Sequence, residues 1–91
     1  MGATDDVIVE FFGVPRHRAG RAELRVAAGT VAEVLARIGC ACPGLTGLTR
    51  ADGRLAPHYL LSVDGQRFVT DLREEIRGGE RLLLLSADAG G

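Results

Sequence analysis

The chain contains no lysine: Arg16, Arg18, Arg21, Arg25, Arg37, Arg50, Arg54, Arg67, Arg73, Arg77 and Arg81 supply all 11 basic side chains. Two readings of that absence stand side by side. One is coding bias, since heavy use of Ala, Gly, Arg and Leu is what a GC-rich genome leaves. The other is chemical: a chain whose own carboxyl group is to be activated gains from having no side-chain amine that would capture it as an isopeptide. Cysteine is scarce too, with only Cys40 and Cys42 in a C-x-C pair beside Pro43, and the two histidines are His17 and His58. Structural zinc sites use a repeated C-x2-C type of spacing or a clustered histidine pair. Neither occurs, so no metal is expected, and two free thiols at the end of a helix are. A Cys–His catalytic pair would need a third, orienting group, and none is evident.

An excess of one charge is also missing. The formal net charge is −1, without the basic surplus of a generic nucleic-acid binder. A hydrophobic fraction of 46% argues against disorder. No apolar run approaches the roughly 18 residues of a membrane span. The opening Met1-Gly2-Ala3-Thr4-Asp5-Asp6 lacks the charged and apolar regions of a secretory signal, and a cytoplasmic location is expected. A length of 91 residues suits one small domain, expected to span 1–91, that buries roughly 60–65% of its unfolded surface.

What is present is most informative at the far end, where Arg81-Leu82-Leu83-Leu84-Leu85-Ser86 leads into Ala87-Asp88-Ala89-Gly90-Gly91. Two glycines have no Cβ and can lie extended in a slot too narrow for side chains. A core strand just upstream would hold such a tip at a fixed place on a rigid body. Residues 87–91 are therefore expected to form a flexible tail whose Gly91 carboxylate reacts in another protein's active site. Gly90 would let it thread, and Asp88 and Ala89 would set its reach.

Along the chain, Val7-Ile8-Val9-Glu10-Phe11-Phe12 is β-branched and aromatic, which predicts a central strand. Glycines at both ends and a proline predict a wide hairpin loop over 13–20. Arg21-Ala22-Glu23-Leu24-Arg25-Val26 alternates strictly, which predicts a second strand with Ala22, Leu24 and Val26 buried. Thr30-Val31-Ala32-Glu33 fits a capping box. Val31, Val34, Leu35 and Ile38 then recur at i, i+3, i+4 and i+7, one apolar stripe of a helix that Gly39 would close in a left-handed conformation. Segment 40–57 has no sustained period and reads as an irregular connection, with a short turn at 45–48. A strand over 58–63, a tight turn at Asp64-Gly65 and a short extended stretch over 66–69 form a hairpin. Residues 70–76 read as a turn or brief helix, Gly78-Gly79 as a reversal, and 80–86 as the last strand. The expected class is α+β, order ββαβββ, with a mixed sheet of four to five strands packed on one main helix.

Side chains alternate across a strand, so the four leucines at 82–85 must place two on the face that the helix leaves open. With Leu60 beside Leu61 on another strand, that face is expected to be partly apolar, marking Leu60, Leu83 and Leu85 as candidate partner-docking residues together with Asp88 and Ala89. The competing reading is that segment 40–57 folds over it. Arg16, Arg18 and Arg81 read either as a solvated face or as partners for acidic groups on another protein.

Taken in order, the opening strand and the loop to Gly20, the helix start Thr30-Val31-Ala32-Glu33-Val34-Leu35, Ser62-Val63-Asp64-Gly65 and Ile76-Arg77-Gly78-Gly79-Glu80-Arg81-Leu82 resemble the ubiquitin-like β-grasp sulfur carriers of the MoaD/ThiS family. The Phe-Phe opening and the long middle connection look more like the MoaD branch, the small subunit of molybdopterin synthase. Two departures stand out: Asp64 where many members have asparagine, and Ser86-Ala87-Asp88-Ala89 as the approach to the glycines. The resemblance implies a carrier, not an enzyme in its own right. A ubiquitin-activating-type partner would use ATP and magnesium to adenylate Gly91, a persulfide donor would leave a thiocarboxylate there, and a synthase such as a large molybdopterin synthase subunit would accept the sulfur. No cofactor would be bound by the chain itself, consistent with the lack of a P-loop. Carriers serving cysteine, thiamine, transfer-RNA thiolation or secondary metabolites share the scaffold. A protein modifier joined through Gly91 and a plain interaction module also remain open.

Overall fold

A computed structural model describes residues 6–87. The elements in chain order are β1 (Asp6–Phe11), α1 (Val14–Ala19), β2 (Glu23–Ala27), β3 (Gly29–Thr30), α2 (Val31–Ala41), β4 (Tyr59–Val63), β5 (Arg67–Phe68), β6 (Glu75–Ile76) and β7 (Arg81–Ser86). The main sheet runs β2-β1-β7-β4-β5, with β1 and β7 parallel and every other neighbour antiparallel. This is the mixed α+β sheet that the pattern predicts, and it matches the ubiquitin-like β-grasp fold. The opening strand is internal, as expected, and the last strand lies in the middle.

Alternation decides which side chains meet. Val7, Val9 and Phe11 on β1, Leu82 and Leu84 on β7, and Tyr59, Leu61 and Val63 on β4 are buried. Register makes one layer of them, pairing Val9 with Leu82 and Phe11 and Leu61 with Leu84. On that layer sit Val31, Val34, Leu35 and Ile38, the four residues of the predicted stripe, all buried. The capping box is formed as well. The Glu33 backbone N–H donates to Thr30 Oγ1 at 3.2 Å, and the Thr30 N–H donates to Glu33 Oε1 at 2.9 Å.

Four expectations need correction. Residues 13–20 are not a hairpin loop but enclose helix α1. Pro15 stands in its first turn, where a missing N–H costs nothing, and Gly20 closes it at φ 74° with its N–H on the Arg16 carbonyl at 3.0 Å. The same Gly and Pro signals serve a loop or a short capped helix. Gly39 does not end α2; the helix runs on through Cys40 to Ala41. Ala22 is exposed, since β2 begins one residue later and only its carbonyl joins the sheet, accepting from Phe11 N–H at 2.9 Å. Segment 70–76 ends in β6, which pairs with β3 in a separate two-stranded ribbon, so the order ββαβββ omits two short strands and one helix. Each new strand is two residues long and too short to show a period.

Segment 40–57 is irregular, as expected, with one isolated bridge between Thr49 and Leu55. It contributes Cys42, Leu45, Leu48 and Ala56 to the same buried cluster as α2 and the sheet's inner layer. The connection is therefore part of the core and leaves the far sheet face open.

Candidate interaction site at the end of the central strand

Because β1 and β7 are parallel, both finish at the same end of the sheet, and β4 begins there. The chain leaves β7 at Ser86 and is held once more, by Ala87 N–H donating to the His58 carbonyl at 2.8 Å. Asp88, Ala89, Gly90 and Gly91, which carry the expected chemistry, lie outside the described residues. What the structure fixes is the point from which they depart: an internal strand, hydrogen-bonded on both sides, beside α1.

The open face of the sheet is partly apolar. Leu60 faces Leu85 across the β4–β7 ladder and Ser62 faces Leu83, while Phe68 on β5 pairs with Ser62. Leu83 and Leu85 are half-buried, and Phe12, Val14, Leu60 and Phe68 are exposed, Phe68 by 62%. The structure thus brings the sequence-predicted Leu60, Leu83 and Leu85 together on one surface. It adds Phe12, Val14 and Phe68, which reading the chain for strands did not single out. At the strand's exit, Phe12, Val14, Arg18, His58, Leu85 and Ser86 line one groove. Further along the same face the surface turns polar, where the Arg81 guanidinium pairs with Glu10 and lies 3.9 Å from Glu23.

α1 is pinned over this end. The Arg18 guanidinium donates to the hydroxyl of buried Tyr59 at 3.2 Å, and the His58 and Tyr59 rings stand 4.4 Å apart. Gly44 of the connection comes so close to the end of α1 that a Cβ there would lie 2.1 Å from the Arg18 carbonyl oxygen. On the outer side of α1, Arg16, His17 and Arg21 line a second depression.

Both cysteines are free thiols at the end of α2, Cys40 exposed and Cys42 buried. Burial pushes the Cys42 thiol up from its ordinary value, with the Arg21 charge pulling partly the other way. Among the described residues no three His, Cys, Asp or Glu side chains cluster as metal ligands, and no helix is long and apolar enough to cross a membrane.

No protein-family model matches the chain, and no curated protein matches it. Solved structures do. SAMP1 from Haloferax volcanii superposes with a TM-score of 0.80 at 26% identity, over 94% of this chain and 99% of that one. The chain has the ubiquitin-like β-grasp fold of MoaD/ThiS-like proteins. Two more distant structures share the fold of this MoaD/ThiS-like chain. One is a chain of the BexX/CysO complex of Amycolatopsis orientalis (TM-score 0.76, 22% identity, 93% and 99% covered). The other is provisionally described as molybdopterin converting factor subunit 1 from Pyrococcus furiosus (TM-score 0.73, 19% identity, 91% and 98% covered). These neighbours support a ubiquitin-like sulfur carrier or modifier.

Proposed function

We propose that this protein carries sulfur as a thiocarboxylate on Gly91. The observation that carries the reading is that Ala87-Asp88-Ala89-Gly90-Gly91 continues directly from the hydrogen-bonded central strand of a MoaD/ThiS-like body. A carboxylate resists nucleophiles because its charge is delocalised and oxygen leaves poorly. An adenylating enzyme of the ubiquitin-activating type, using ATP and magnesium, converts it to an acyl-adenylate with release of pyrophosphate. The terminal sulfur of a persulfide then attacks the acyl carbon, and AMP leaves. A thiol cleaves the resulting S–S bond, becoming a disulfide and freeing the thiocarboxylate. Gly90 lets the segment enter the enzyme's slot, and Asp88 and Ala89 set how far it reaches.

In this reading the apolar face of Leu60, Leu83 and Leu85 docks the activating enzyme and then the sulfur acceptor. A synthase resembling the large molybdopterin synthase subunit is the favoured acceptor, because the Phe-Phe opening and the long middle connection resemble the MoaD branch. Cysteine, thiamine, transfer-RNA or secondary-metabolite pathways would use the same chemistry. The setting is the cytoplasm, where ATP and persulfide donors meet. The test is intact mass: incubated with its cognate activating enzyme, ATP and a sulfur source, the chain gains the mass of one oxygen-to-sulfur exchange, and a chain lacking Gly91 does not. No exchange with any activating enzyme of the source organism overturns the reading.

A second reading is conjugation to other proteins through Gly91, favoured by the likeness to SAMP1, whose description elsewhere is small archaeal modifier protein 1. Gly-Gly remnants on lysines of other proteins would support it. Having no lysine, the chain offers no side-chain amine for linking copies of itself by isopeptide bonds.

A further inference from the structure

We propose that the end of the molecule from which β7 departs docks against an acidic protein surface, steered there by Arg16, Arg18 and Arg21. The identity of that partner rests on the sulfur-carrier reading; the charge distribution does not. Acidic residues are absent from 11–22, 34–51 and 53–63. The fold gathers parts of these three stretches at one end: the finish of β1 with α1, the finish of α2 against Gly44, and the start of β4. Arg16, Arg18 and Arg21 are all exposed there, and neither Arg16 nor Arg21 forms an ion pair with a described residue. Asp88 and the Gly91 carboxylate follow Ala87 in sequence and lie outside the described residues.

At the opposite end the signs are mixed. Asp6, Asp64 and Glu80 lie together where β1 and β7 start and β4 ends, and Arg67 and Arg73 are neutralised by Glu74 and Asp71. A net charge of −1 therefore conceals an uneven distribution among the described residues, with Arg16, Arg18 and Arg21 outside every described ion pair at the exit of the central strand.

The geometry favours a broad surface over a small anion. The guanidinium groups lie on both sides of α1, Arg16 and Arg21 beside the outer depression and Arg18 in the groove with Phe12 and Leu85. They do not converge on one point. Continuity with the apolar face fits a protein interface, with an apolar centre and a charged rim, and complementary charge there acts mainly on the association rate.

Two measurements test this. In the first, the isotope-labelled full chain is titrated with octaglutamate at low ionic strength, where charges interact over more than about 10 Å before salt screens them. Amide shifts should concentrate at residues 13–22 and 58 and vanish in R16E/R21E. Shifts elsewhere, or none, overturn the proposal, and tighter binding of an oligodeoxynucleotide of equal charge reassigns the surface to nucleic acid. In the second, association with the activating enzyme should slow at least about tenfold in R16E/R21E at low salt, the lower end of electrostatic steering. That gap should close as salt rises, while R73E/R77E, with the same change in net charge, stays near the unsubstituted rate. Equal slowing of both variants overturns the proposal. If the unsubstituted chain is not loaded with sulfur at all, the carrier reading fails, and the peptide titration still decides this one.

Discussion

The Arg18 guanidinium reaches across 41 residues of sequence to donate to the Tyr59 hydroxyl at 3.2 Å. That bond joins α1 to the first residue of β4 and closes the end of the sheet where the chain leaves β7. Tyr59 is 3% exposed, and its hydroxyl would otherwise be a desolvated polar group. Tyr59→Phe should cost about 0.5–1.5 kcal/mol of stability in chemical denaturation, the ordinary net value of one such bond. The inner face of the ring is unchanged, so amide shift changes should stay within α1 and the β4 start.

Two glycines give opposite expectations. Gly39 sits inside α2 with open space where a Cβ would go, so Gly39→Ala should stabilise by about 0.5–1 kcal/mol through lower unfolded-state entropy. Destabilisation would restore the left-handed cap that the sequence suggests. Gly44 has the Arg18 carbonyl oxygen 2.1 Å from its missing Cβ. Gly44→Ala must displace backbone and should cost about 1–3 kcal/mol, as overpacking does. Thermal melts of both variants decide.

Neighbouring leucines on β7 separate folding from docking. Leu84 is fully buried against Phe11 and Leu61, and Leu84→Ala should cost about 2–5 kcal/mol. Leu85, one residue on, faces the open side opposite Leu60. Leu85→Ala should cost under about 1.5 kcal/mol yet slow sulfur loading by the activating enzyme. A Leu85→Ala chain that is loaded normally removes that face from the docking surface.

The capping box makes a pH-dependent contribution. The Glu33 carboxyl is held below its ordinary value of 4.5, first by the Thr30 backbone N–H, with help from the Thr30 hydroxyl and the Arg37 charge and against some desolvation. An acid whose pKa is lower when folded stabilises the fold above its unfolded pKa, and that stabilisation fades as pH falls through the folded value. Glu33→Ala should therefore be less stable than the parent at neutral pH, with the gap narrowing below pH 4.5. Thr30→Ala should cost about 0.5–2 kcal/mol by the same denaturation assay.

Where a segment is long enough to express a period, the sequence alone determined the outcome. The α2 stripe, its capping box, the strands β1, β4 and β7 and the Asp64-Gly65 turn, where both residues have positive φ, are local patterns written in side-chain chemistry. The closing Gly90 and Gly91 are likewise readable, and their proposed role rests on sequence and likeness. Tertiary structure decided what depends on residues far apart. Gly and Pro around α1 suit a loop and a short helix equally until Tyr59 and Gly44 pack against it. A two-residue strand such as β3 or β6 exists only because its partner is there. The sheet order puts β7 beside β1, and so gathers Arg16, Arg18 and Arg21 where the last residues depart. Spacing along the chain cannot show that placement, because α1 and the exit of β7 meet only through hydrogen-bonded register between strands some 70 residues apart, as the Glu10–Leu83 pairing shows.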